Sequence, residues 1–275
     1  MSGLAIIAGE GDLPRLLAEH RAAMDSPYLV VGFQGLMPKW SSEHPHLVAQ
    51  YEKPGAMFKA MREANCDEVC YAGAMVRPKL NPLKFDWKFL KLAGTLLPAL
   101  KKGDDETLRA ITKTMEGEGF TVVGAHDILE NLVMPEGCPT TLKPSDADKS
   151  DAARAAEIVA ALGQLDVGQG AVVGQGLALG VESISGTDAM LEAVTAQKGA
   201  FLTDADGAKG LLYKAPKPGQ DWRADLPAIG VETVRKAAEA GLAGVVIAAG
   251  GVIVLDRDAV IREADAHGLF LWARS

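Results

Sequence analysis

Two periods of apolar residues run through this sequence. In the first half, residues 4–8, 28–33, 47–51, 68–73 and 120–124 are short runs rich in apolar side chains, and most end at glycine or a polar residue. Runs of this length read as strands. Residues 13–24, 54–65 and 107–118 instead set apolar side chains three and four apart, the mark of helices with one buried face. Pro54 is compatible with a helix start, because the first turn leaves its amide positions unbonded. Strand and helix in alternation predict a parallel sheet covered by helices.

From 132 to 148 the pattern lapses. Pro135, Gly137, Pro139 and Pro144 fall in a polar stretch without periodicity, which places a domain boundary there. A helix is then expected from Asp146 or Asp148 to Leu162. Residues 170–174 and 177–182 are short β segments joined by Gln175-Gly176 and read as a hairpin. Residues 188–196, 231–240 and 257–267 read as helices, and 210–213, 245–248, 252–255 and 269–272 as strands. The expected fold is α/β in two domains: a Rossmann-like parallel sheet over 1–135, and a mixed α/β domain over 136–275.

Composition narrows the function. The chain has 275 residues and a net charge of −8, which argues against nonspecific nucleic-acid binding. Cys66, Cys70 and Cys138 form no CxxC pair, so neither a zinc site nor a disulfide framework is indicated, and all three read as small buried residues. The amino terminus lacks a basic leader, and its apolar run stops at Gly9. The longest apolar stretch, 240–255, is split by Gly250-Gly251 and falls short of the roughly 20 residues that span a bilayer. A cytoplasmic protein is expected. Oligomeric state is left open by the pattern.

Candidate chemistry concentrates in a few segments. KAPKPGQDWRADLP (214–227) sets Lys214, Lys217 and Gln220 around Asp221 and Asp225, with prolines that disfavour a long helix. Such a loop suits phosphate oxygens through its lysines and a hard cation through its carboxylates; it reads equally as a surface loop with solvated charges. Gly9, Gly11 and Asp12 follow a strand and open a helix, where a Rossmann fold holds phosphate. Pro14 stands where the full fingerprint needs glycine, so a tight turn is the competing reading. Gly186 and Thr187 present donors at a helix start, with Glu182 and Asp188 beside them. Residues 77–91 interleave Arg77 and four lysines with Leu, Phe and Trp, suiting an anionic lipid surface, the mouth of an acyl pocket, or an ordinary amphipathic helix. No histidine pair has metal-binding spacing, and no nucleophile elbow or P-loop is present.

Several of these segments occur together in one known family. IAGEGDLP at 7–14, GAMVRP at 73–78, GDDETLRAI at 103–111, DVGQGAVVGQG at 166–176, VESISGTDAM at 181–190, KAPKPGQDWRADLP and AAGGVIVLDRD at 248–258 resemble, in order, the UDP-2,3-diacylglucosamine pyrophosphatases of lipid A biosynthesis of the LpxI type. Ser185 departs from the family, which commonly carries a second acid there; Glu182 and Asp188 remain. The resemblance implies a lipid-linked UDP-sugar held between two domains and cleaved to UMP and 2,3-diacylglucosamine 1-phosphate, with Mg²⁺ (or Mn²⁺) as cofactor and transient access to the inner leaflet; a hydrolase of a soluble nucleotide sugar and a non-catalytic nucleotide- or lipid-binding protein are the alternative readings. On that basis Asp225 is the first expected catalytic and metal-binding residue. Asp221 and Lys214 join it in catalysis, and Asp188 and Glu182 at the metal. Gly9, Gly11, Asp12, Arg77, Gly186, Thr187, Lys217 and Gln220 are expected on the substrate.

Overall fold

The computed structural model describes residues 2–75, 78–101, 103–202, 204 and 206–275. The chain divides into two compact units, Met1–Leu129 with Arg223–Asp225, and Glu130–Trp222 with Leu226–Ser275.

The first unit runs β1 (Gly3–Ala8), α1 (Leu13–Ala23), β2 (Tyr28–Phe33), β3 (His46–Ala49), α2 (Pro54–Glu63), β4 (Cys66–Ala72), α3 (Trp87–Ala99), α4 (Asp104–Gly117), β5 (Thr121–Val122) and α5 (Ala125–Ile128). Its strands lie parallel in the order β3-β2-β1-β4-β5, the order of a Rossmann half with its reversal beside β1. All six residues of β1 are buried, as a central parallel strand covered on both faces must be. Ala5, Ile7, Val31 and Val69 pack with Met57, Phe58 and Met61 of α2 and with Met115 of α4. The segment read as a strand at 120–124 pairs only over Thr121–Val122, because Gly124 already serves as the N-cap of α5.

Glu118, the C-cap of α4, receives Arg62 of α2 at 3.1 Å and also Lys88 of α3. Burial pulls its pKa up, but the two cations outweigh that and hold the carboxyl below its ordinary range. Burial pushes the Cys66 thiol to about 11 and the Cys70 thiol to about 12. The expectation of three buried cysteines holds for these two. Cys138 is half-buried, its Sγ beside Thr140 Oγ1 and the Leu142 carbonyl.

The second unit runs α6 (Asp146–Gln164), β6 (Gly170–Gly174), β7 (Leu177–Val181), α7 (Gly186–Gln197), β8 (Leu211–Lys214), β9 (Ala228–Ile229), α8 (Val231–Glu239), β10 (Gly244–Ala248), β11 (Ile253–Val254), α9 (Arg257–Ala266) and β12 (Phe270–Arg274). A mixed sheet has the order β12-β10-β8-β6-β7, with β6 antiparallel to both neighbours. Strand alternation sorts its side chains to two helical layers. Val172, Leu212, Val245, Ile247 and Leu271 face α7, α8 and α9. Ala171, Val173, Leu211, Val246 and Phe270 face α6. The segment 252–255 is not a strand of this sheet: Ile253–Val254 pairs with β9 in a separate parallel ribbon.

The start of α6 is set by a capping box, Ser145 Oγ accepting from Asp148 N and Asp148 Oδ2 from Ser145 N at 2.9 Å. Asp151 of α6 then accepts from Gln175 N at 2.9 Å and Gly176 N at 2.7 Å. Both turn residues have positive φ, 51° and 76°, as the two-residue hairpin turn between β6 and β7 requires. No helix among the described residues is long and apolar enough to cross a membrane.

Candidate active site

In the first unit, Gly9, Gly11 and Asp12 form the turn between β1 and α1. The end of β4 runs beside it. Glu10 N donates to Ala74 O at 2.8 Å and Ala74 N to Glu10 O at 3.0 Å. These backbones meet so closely that a Cβ on Gly9 would lie 2.3 Å from Ala74 O, and one on Gly73 would lie 2.3 Å from Glu10 O. The motifs at 7–14 and 73–78 are therefore two sides of one contact. Gly11 has φ +96° with open space around it, so its glycine serves the turn rather than a close approach. Asp12 makes no side-chain cap bond; its carboxylate is 74% exposed and 3.6 Å from Arg15. The first turn of α1 thus begins at an exposed glycine turn. Arg77 lies outside the described residues.

In the second unit, three motifs converge on Glu182. The Thr187 hydroxyl, in the first turn of α7, donates to Glu182 Oε1 at 2.8 Å. Lys214 Nζ, at the end of β8, donates to Thr187 Oγ1 at 2.6 Å and lies 3.6 Å from Glu182 Oε1. Its side chain is 6% exposed and that of Glu182 is 13% exposed. Charges this far from water persist only when paired and hydrogen-bonded. Glu182 Oε2 is buried without a hydrogen-bond partner among the described residues. Room for this glutamate comes from the motif at 166–176: a Cβ at Gly168 would meet Glu182 O at 2.0 Å, and one at Gly170 would meet Glu182 Oε2 at 2.7 Å. Gly186 precedes Thr187 with φ +85°.

The loop after β8 is pinned within the second unit as far as Gln220. Lys217 Nζ meets Asp166 Oδ1 at 2.5 Å. Gln220 Oε1 accepts from Lys217 N at 2.8 Å and from Gln169 Nε2 at 3.2 Å. Gly163 and Gly251 leave space for Pro218 and Pro216, respectively. The solvated surface loop considered from sequence is thus, in this part, a hydrogen-bonded one. Asp221 and Asp225 are both partly buried, and Asp225 groups with the first unit.

Of the residues expected at the site, the structure gathers Glu182, Thr187 and Lys214 into one network, and Lys217 with Gln220 into another. Asp188 goes elsewhere: it is 59% exposed and 3.4 Å from Lys236. Lys214 is turned into the fold rather than out toward a ligand, held by Thr187 and, at 3.5 Å, by the Ala228 carbonyl. Among the described residues, no group of three or more His, Cys, Asp or Glu side chains is assembled to hold a metal. Gly73, Asp166, Gly168, Gln169 and Gly170 were not singled out by sequence reasoning. All lie in motifs quoted above, but their partners are distant in sequence and no local spacing announces them.

Comparison with known proteins covers both halves. The LpxI N-terminal domain matches residues 3–132 and the LpxI C-terminal domain matches residues 135–272. The UDP-2,3-diacylglucosamine pyrophosphatase LpxI of Caulobacter vibrioides is 41% identical over 271 residues, 98% of this chain and 97% of that protein.

Proposed function

The chain belongs to the LpxI family along both of its halves, and from that premise we propose that it hydrolyses the pyrophosphate of UDP-2,3-diacylglucosamine, releasing UMP and 2,3-diacylglucosamine 1-phosphate for lipid A biosynthesis. The observation that carries this reading is identity along nearly the whole length of the Caulobacter pyrophosphatase. The network in the second unit is compatible with it. Pyrophosphate hydrolysis concentrates negative charge on the transferring phosphoryl group, so fixed donors and cations carry most of the rate. Gly186 and Thr187 sit at the amino end of α7, where backbone N–H groups and the helix dipole favour phosphate. Lys214 fixes the Thr187 hydroxyl and the Glu182 carboxylate at that end and adds positive charge beneath it.

Mg²⁺, with Mn²⁺ as a substitute, is the proposed cofactor. A buried carboxylate oxygen without a donor, as at Glu182 Oε2, fits a hard cation that takes oxygen ligands. Glu182 is the proposed ligand that this oxygen supports and Asp225 the one that the family motif supports, while Asp188, turned to Lys236, is not carried forward; when bound, the ion would neutralise pyrophosphate oxygens and acidify a water. Asp225 and Asp221 are the proposed water-orienting carboxylates. Lys217, Gln220, Gly9, Gly11, Asp12 and Arg77 are the proposed substrate contacts.

The test is to incubate purified protein with UDP-2,3-diacylglucosamine, with Mg²⁺ or with EDTA, and measure UMP. The expected result is product that disappears in EDTA and falls by about 10²–10⁴-fold in Asp225→Ala. Full turnover by Asp225→Ala would overturn its assignment. Folded protein giving no product under any metal, or acting only on acyl-free nucleotide sugars, would overturn the substrate.

A further inference from the structure

Helix α3 is apolar on two faces. Phe89 and Ala99 are buried, and Leu92 packs on the core of the first sheet. Trp87, Leu90 and Leu97 occupy another face and are 72%, 54% and 37% exposed. With Gly94 they repeat every three or four residues, so they form one continuous stripe. Leu83, in the turn before the helix, is 95% exposed. Apolar side chains this large, contiguous and uncovered mark an interaction surface rather than ordinary surface scatter.

The helix presenting this stripe is firmly held. Asp86 accepts from Phe89 N at 2.6 Å and from Gly55 N at 2.9 Å, and the Phe85 and Phe89 rings stack at 3.9 Å. The outward face therefore cannot turn inward without breaking the cap and the stack. Its surroundings are basic in an acidic protein. Lys88 is paired with Glu118, but Lys79, Lys84, Lys91 and Lys101 are exposed, against a single acid within 78–101, Asp86, in a chain of net −8. Lys91 Nζ lies 5.4 Å from the centre of the Trp87 ring. Tryptophan beside lysine suits the headgroup level of a bilayer, where the ring is amphipathic and the lysine stem can lie along apolar surface.

We propose that the face formed by Leu83, Trp87, Leu90 and Leu97 docks in the plane of an anionic lipid leaflet, with the lysine rim on lipid phosphates. At 13 residues α3 is too short to span, and its two-faced character fits a helix lying in the interface. A second copy of the chain is the less suitable occupant, because a symmetric pairing would set one lysine rim against the other. The proposal does not depend on the reaction, so the two can fail separately.

The test is cosedimentation of the full chain, without UDP-sugar, with phosphatidylethanolamine–phosphatidylglycerol vesicles and with phosphatidylcholine vesicles. Binding is expected on the anionic vesicles, weaker on the neutral ones, and reduced by salt. Trp87→Ser combined with Leu90→Ser is expected to lower partitioning about tenfold or more. Lys84→Gln and Lys91→Gln are each expected to lower it about fivefold. Since these side chains are exposed, an unchanged melting temperature certifies the fold. No binding to anionic vesicles, or full binding by the double serine variant, would overturn the proposal. So would a concentration-dependent dimer abolished by that variant, which would assign the face to a second copy.

Discussion

A strand leads through a glycine-bearing turn into a helix at two notable places, β1–α1 in the first unit and β7–α7 in the second, and the two junctions are finished differently. At β1–α1 the glycines arrange backbone: Gly9 lets the end of β4 approach, Gly11 turns the chain, and Asp12 remains exposed without a cap bond. At β7–α7 the helix start carries a buried polar network, in which Glu182 Oε1, Thr187 and Lys214 are joined while Gly168 and Gly170 leave room for the glutamate. The first junction is held by backbone contact with the end of β4. The second is held by buried charged side chains, so its stability draws on their pairing.

That contrast can be broken from its strongest side. Lys214→Met would leave a buried carboxylate without its cation, and about 3–5 kcal/mol of the second unit's stability should go with it. A chemical denaturation midpoint would register that loss; an unchanged midpoint would show the ammonium to be idle. Gly168→Ala drives a Cβ to 2.0 Å from the Glu182 carbonyl and should cost about 1–3 kcal/mol or more, read in the same way. In the first unit, Gly11→Ala meets no atoms but must hold φ +96°, and the expected cost is about 1–2 kcal/mol in thermal melting. Asp12→Ala should change the melting free energy by less than about 0.5 kcal/mol. A larger effect there would mean that the turn is braced like its counterpart.

Much of the fold was legible because strands and helices announce themselves over consecutive residues. The hairpin at Gln175-Gly176 and the helix starting at Asp146 both followed from local turn and cap chemistry. The reading failed where the decision is tertiary. An apolar segment such as 252–255 does not say which sheet it joins, and it goes to the ribbon with β9. The site was legible in its residue types and not in its wiring. Glu182 and Lys214 were both singled out, but their link runs through Thr187 and depends on glycines in a third motif. Asp188, adjacent to Thr187 in sequence, turns to Lys236 because successive side chains on a helix point in different directions.

The burial of two of the three cysteines has a practical corollary. A thiol reacts as its thiolate, and with Cys66 held near 11 and Cys70 near 12, almost none is available at neutral pH. Cys138, half-buried in the second unit, is then the natural attachment point for a maleimide dye. The unmodified sequence thus supplies a site-selective handle in the unit that contains the Glu182 network, suited to following ligand binding by fluorescence without introducing a new residue.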